Sequence, residues 1–199
     1  MLDDTLAGMN AVNAMLLARG LPTIDLTCYR DTFGFPVRNF YQKVGFRLDT
    51  ENWDAMADEF HRHFLADTTI RLHSQTYATL NQLSDSGITQ SVLSASEQSI
   101  LEKKLSEYKL SHFFDHVYGV DNLYGHSKLE IGRALLKAIE LPLAEIILIG
   151  DSLHDHEVAQ HLNVGCLLID QGHQSRKRLL ESAAPVLSDL SELPEWLNI

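Results

Sequence analysis

Two carboxylates, Asp151 and Asp155, follow directly on the apolar run Ile146-Ile147-Leu148-Ile149-Gly150. Hard oxygen donors at this spacing, after a glycine that lets the backbone turn sharply, suit a cation such as Mg²⁺, which binds through one or two carboxylates. The run ahead of them reads as a buried strand that delivers acids to its C-terminal end, where open α/β sheets hold their ligands. The same residues also have a purely structural use. Ser152 and Asp155 fit the S-x-x-D capping box of a helix beginning near Leu153. Read alone, the stretch allows both. Ser94 and Lys128 are ambiguous in the same way: Ser94 can cap a helix with Glu97 three residues on, and Lys128, with Ser127 as a cap before it, can be a solvated lysine.

The elements around these residues alternate. Leu6, Met9, Val12, Met15 and Leu16 recur at helical steps from about Thr5 to Arg19, before Gly20-Leu21-Pro22. Short helical pieces follow at 26–33, 37–44 and 53–64, broken by Gly34-Phe35-Pro36, in a segment rich in Phe, Tyr and Trp. After Thr69 the pattern becomes helix then strand. A helix through Tyr77, Leu80 and Leu83 ends at Asp85-Ser86-Gly87, and the strand 88–93 closes on Ser94-Ala95-Ser96. Helices are predicted at 99–108, 128–139, 158–162 and 175–180, and strands at 116–119, 145–150, 166–169 and 185–187. Such alternation implies parallel pairing with right-handed crossovers.

Composition narrows the partners. The chain has 199 residues, 45% of them hydrophobic, enough for one core plus a small lobe. A formal net charge of −11 argues against nucleic acid and anionic membrane, which call for a basic surface. Cys28 and Cys166 stand far apart with no metal-ligand spacing, which fits a reducing cytoplasm. No apolar run is long enough to span a bilayer, and Asp3 and Asp4 stand where a basic signal region would be. Ten histidines invite a metal reading, but His61 with His63, and His154 with His156, are two apart. That spacing puts the rings on opposite strand faces, or roughly 200° apart on a helix, so neither pair chelates from regular structure.

Ser94 at a strand end, Lys128 heading a helix after a Gly/His-rich turn, and Gly150-Asp151-x-x-x-Asp155 after another strand resemble, in order, the second, third and fourth motifs of the haloacid dehalogenase (HAD) superfamily. The resemblance runs essentially end to end and looks closest to the phosphoglycolate-phosphatase-like branch. It implies an α/β fold: a Rossmannoid parallel sheet with helices on both faces and an inserted α-helical cap. The core would comprise residues 1–7 and 71–199, and the cap residues 8–70. It further implies a Mg²⁺-dependent phosphatase acting on a small phosphorylated metabolite through an aspartyl-phosphate. Asp151 would be the direct Mg²⁺ ligand, with Asp155 acting through metal-bound water or holding Asp151. Lys128 would neutralise phosphoryl charge, and Ser94, helped by backbone N–H groups from Ala95 on, would bind a transferring oxygen. Arg38, in a loop that faces the pocket of capped members, would either grip a substrate anion or pair with a surface acid.

The first motif departs from the pattern. The family's D-x-D-G-T-L supplies nucleophile and general acid/base, and no D-x-D occurs in the 199 residues. Counting back from Gly20-Leu21-Pro22 places Asp3 at a later acid of that motif. This register puts both catalytic acids and the first, central strand upstream of Met1, so that Met1 would be a mis-assigned start. A sheet without its central strand would expose two unpaired edges, which promote association. Three alternatives stay open: a non-catalytic protein that binds a metabolite or partner, a phosphomutase of the same superfamily, and a phosphoacceptor signalling domain, against which the helical lobe argues.

Overall fold

The computed structural model describes residues 1–120 and 128–199. The chain opens with β1 (Leu2–Asp3), then four helices: α1 (Thr5–Ala18), α2 (Leu26–Thr32), α3 (Val37–Lys43) and α4 (Trp53–Ala66). It returns through β2 (Arg71–Leu72), which pairs antiparallel with β1 and places Leu2 opposite Leu72. The two crossings of the chain thus form a short ribbon, tied by the Arg71–Asp3 ion pair at 2.9 Å. From there α5 (Thr76–Asp85), β3 (Ser91–Glu97), α6 (Gln98–Glu107), β4 (His116–Val120), α7 (Lys128–Ile139) and β5 (Ile147–Gly150) alternate. Then come α8 (Leu153–Leu162), β6 (Gly165–Ile169), α9 (Arg176–Leu179), β7 (Val186–Leu187) and α10 (Leu193–Trp196). No helix among the described residues is long and apolar enough to cross a membrane.

The four N-terminal helices share one hydrophobic cluster built from Val12, Met15, Leu16, Tyr29, Phe40, Tyr41, Val44, Phe46 and Met56. Local chemistry starts two of them: the Asp25 side chain accepts from Cys28 N–H, and the Asn52 side chain from Ala55 N–H. The buried face of α1 runs through Ala7, Ala11, Val12, Met15 and Leu16, while Leu6 lies outside, 41% exposed. At the far end of α1, Arg19 bridges Glu51 (2.6 Å) and Glu59 (2.8 Å) with all three side chains about four-fifths covered, and its guanidinium lies 5.2 Å from the Phe46 ring centre. Hydrogen bonding from Arg19 holds the Glu51 carboxyl below its usual range. Arg19→Met, which keeps the apolar stem, is expected to lower stability by about 1 kcal/mol in a urea melt, since a partly covered two-carboxylate bridge exceeds the median exposed pair.

Beyond the β1–β2 ribbon the strands pair in parallel, as the alternation predicts, but in two separate sheets. β3 pairs with β4, with Val92 opposite Val117, and β5 pairs with β6, which pairs with β7. β3 and β5 do not pair with each other. The hydrophobic core divides along the same line. One cluster gathers Leu80, Val92, Leu101, Leu105, Leu110 and Phe113; another gathers Leu83, Leu167 and Leu193. Helices carry the connection instead. α5 gives Leu80 to one cluster and Leu83 to the other, and Gly132 of α7 lies against both Leu93 of β3 and Leu162 of α8. This break corrects the expectation that the apolar run before Asp151 is a buried strand: Ile147 and Leu148 are only half-buried, and Ile149 is 38% exposed. Among the described residues, no strand pairs with its free edge to exclude water.

Candidate active site

The C-terminal end of β5, the start of α7 and the loop after β6 build the site. At β5, Gly150 has no Cβ because Asp155 takes that space; a Cβ there would collide with Asp155 Cβ and Cγ and approach Oδ2 to 2.5 Å. Asp155, 4% exposed, uses Oδ2 to accept from Asp151 N–H (3.1 Å), Ser152 N–H (3.0 Å) and Ser152 Oγ–H (2.7 Å). Ser152 Oγ in turn accepts from Asp155 N–H, so the capping box of α8 is complete. Asp155 Oδ1 takes the Lys128 ammonium at 2.5 Å, with Lys128 13% exposed. Burial opposes ionisation of Asp155, yet the Lys128 charge and these hydrogen bonds hold its carboxyl below the usual range. One carboxylate thus completes the capping box that the sequence shows and also anchors Lys128, a contact the sequence does not show.

Asp151 turns the other way. Its Oδ2 accepts the backbone N–H of His173 at 2.7 Å, and it packs so closely on Gly172 that a Cβ there would overlap Asp151 Cβ, Cγ and Oδ2. The Gly172-His173 loop is tied to the helical lobe. His173 Nε2 faces Asp4 Oδ1 at 3.3 Å, and its Nδ1 lies 2.9 Å from the Tyr29 hydroxyl. Burial disfavours the charged imidazole, but the hydrogen bond and charge of Asp4, with Asp151 and Asp155 behind it, hold His173 above its ordinary value. Arg30 clamps the same loop, pairing with Asp170 at 2.6 Å and donating to the carbonyls of Gly172 and Gln174. Gln174, 1% exposed, accepts Leu153 N–H through Oε1 and donates through Nε2 to the Phe33 carbonyl. One side chain thus joins the first turn of α8 to the 33–36 loop of the helical lobe.

Asp151, Asp155 and Lys128 are brought together; Ser94 and Arg38 stand apart from that contact set. Ser94 lies within β3, and its Oγ accepts from Ser96 N–H at 3.1 Å, with Ala95 between them. The helix that follows is capped three residues later, by Glu97, whose carboxylate accepts from Ser99 and Ile100 N–H. The Ser94 capping expectation therefore moves to Glu97, because β3 runs on beyond Ser94. The Arg38 guanidinium lies 5.0 Å from the ring centre of Trp53, and among the described residues it pairs with no acid. The cap assigned to Ser127, and the turn before Lys128, lie outside the described residues. Asp4, Tyr29, His173 and Gln174 were not singled out in the sequence. A signal existed for two of them: Gly172-His173-Gln174 follows the end of strand β6, at the sheet edge where ligands collect.

As to Mg²⁺, no group of three or more His, Cys, Asp or Glu among the described residues forms a ready-made metal site. The donor set nevertheless suits it. Mg²⁺ retains waters and binds through one or two carboxylates plus substrate phosphate, and Asp151 offers a hard carboxylate oxygen beyond the one held by His173 N–H.

A family model described as haloacid dehalogenase-like hydrolase matches residues 1–169. The chain belongs to that family. Solved structures share the fold at low identity. A haloacid dehalogenase-like protein of Streptococcus pneumoniae superposes with a TM-score of 0.84 at 20% identity, covering 99% of this chain and 93% of that one. A predicted phosphatase of Clostridium acetobutylicum gives 0.81 at 20% identity, covering 100% and 94%. A predicted phosphoglycolate phosphatase of Haemophilus somnus gives 0.73 at 15% identity, covering 99% and 93%. No curated protein sequence matches the chain.

Proposed function

We propose that this site performs Mg²⁺-dependent hydrolysis of a small phosphate monoester, completed by an aspartate presented from an extended segment between β3 and β5. The observation that carries the reading is the buried pair of Lys128 with Asp155, whose carboxylate closes the tight turn that carries Asp151, at the C-terminal end of β5 in sheets that leave β3 and β5 unpaired with each other. A phosphate monoester repels an attacking carboxylate, so positive charge must be concentrated where the phosphoryl oxygens lie. Lys128, held by Asp155, supplies a fixed ammonium. Asp151 is the residue to hold Mg²⁺, with Asp155 acting on it through the turn. Bound there, Mg²⁺ supplies charge neutralisation between nucleophile and phosphoryl group. Ser94 and the N–H groups from Ala95 on are assigned to a phosphoryl oxygen. Arg38, stacked on Trp53, would need to swing free to meet substrate.

The same reading divides the chain into a core of residues 1–7 and 71–199 and a cap of residues 8–70, in a cytoplasmic protein. The open edges of β3 and β5 would favour self-association. The test is p-nitrophenyl phosphate turnover with Mg²⁺, using the 199-residue chain and one extended at its N-terminus by an apolar strand ending in D-x-D-G-T. The extended chain is expected to turn over only with Mg²⁺, and Asp151→Asn to lower that rate by at least 100-fold; the shorter chain should be silent. Turnover by the shorter chain would refute the assignment of the nucleophile to an added segment. Silence of both would favour metabolite or partner binding without catalysis.

A further inference from the structure

We infer that the site, read as above, selects phosphate monoesters whose alcohol part is planar and uncharged, and that Phe35 is the residue that meets it. Phe35, 39% exposed, sits in the loop between α2 and α3. Its centroid lies 4.6 Å from that of His154, at 30° between planes. His154 is in the first turn of α8, three residues beyond Asp151. Behind Phe35 stands Phe33, with its ring centroid 5.8 Å from Phe35 and 5.0 Å from His173, whose backbone N–H holds Asp151. Aromatic faces therefore run from the cluster of the helical lobe to within one helical turn of the acid. The loop is fixed by Gln174 and Arg178, which both donate to the Phe33 carbonyl, at 2.8 and 2.6 Å.

Four of the described cations around this wall already hold partners. Arg30 pairs with Asp170, Arg178 is on the Phe33 carbonyl, Arg38 is over Trp53 and Lys128 is on Asp155. A substrate with a carboxylate beside its phosphate would place that second charge against phenyl rings, where desolvation disfavours it. A planar alcohol part would instead stack on Phe35. The inference thus opposes a phosphoglycolate-like substrate while leaving the phosphate chemistry untouched.

Binding without turnover tests it: calorimetry in Mg²⁺ of the 199-residue chain and of its N-terminally extended form with inorganic phosphate, phenylphosphonate and phosphonoacetate. Phenylphosphonate is expected to bind about fivefold tighter than phosphonoacetate, within the range of one aromatic contact. Phe35→Ala should erase that preference by weakening phenylphosphonate relative to inorganic phosphate, and Phe35→Arg should reverse it. Circular dichroism confirms that each variant is folded. Phosphate binding with phosphonoacetate equal to or tighter than phenylphosphonate overturns the inference alone, as does an undiminished preference in folded Phe35→Ala. Absence of binding by all three ligands, phosphate included, in both forms overturns the phosphatase reading and this inference with it.

Discussion

Asp155→Ala is expected to lower folding stability by about 3–5 kcal/mol, the range for removing one partner of a buried charge pair. Three consequences coincide. The Lys128 ammonium, 13% exposed, loses its counter-ion; the N–H groups of Asp151 and Ser152 lose their acceptor; and α8 loses half of its capping box. Asp155→Asn retains an acceptor for the turn but offers no charge to Lys128, so it should fall at the lower end. Lys128→Met is milder than Asp155→Ala, because Asp155 keeps three donors from residues 151 and 152. The measurement is a urea denaturation series, with the double variant Lys128→Met/Asp155→Ala closing the cycle. If the pair acts as drawn, the double variant loses at least 1 kcal/mol less than the sum of the two singles. Strict additivity would mean that Lys128 and Asp155 do not share a contact in solution.

How far such effects could be read in advance depends on whether the governing contact is local in the chain. The capping box at Ser152 and Asp155 is visible in four consecutive residues, and the alternation of helices with strands is visible because apolar periodicity is local. The family motifs marked Lys128 and Asp155 as site residues, but nothing in the spacing of 128 and 155 shows that one neutralises the other. Their meeting depends on α7 packing across β3 and α8, through Gly132. The Asp4–His173–Tyr29 chain is less legible still. Its members come from the first turn of the molecule, the helical lobe and the loop after β6, and no period connects them. Local pattern also misled at two places. Ser94 with Glu97 has the form of a capping box, yet the strand runs through Ser94 and Glu97 alone caps α6. The run Ile147-Leu148-Ile149 has the composition of a buried strand, yet burial is set by neighbours, and among the described residues one edge of β5 has no strand beside it.

Gly150→Ala tests whether the tight turn, and not the carboxylates alone, makes the site. A Cβ at residue 150 would occupy the space of Asp155 Cβ and Cγ, atoms close to the α8 backbone that no rotamer change can move far. Relief requires β5 and the start of α8 to part. Parting them breaks the bonds from Asp151 and Ser152 N–H to Asp155 and draws Lys128 out of register. The expected loss is about 3 kcal/mol or more, at the upper end for overpacking a tight site; if Asp151 holds Mg²⁺ as proposed, the stabilisation that the cation gives the folded chain should be lost as well. Thermal melts with and without Mg²⁺ separate the two effects. A variant destabilised by that amount but still raised in Tm by Mg²⁺ as much as the parent would show that the cation does not depend on this turn. A variant as stable as the parent would show that the turn is looser than its packing implies. Gly172→Ala supplies the matching control from the other side: its Cβ would press on Asp151 and leave the Lys128–Asp155 pair intact, so it should abolish the Mg²⁺ response at a smaller stability loss.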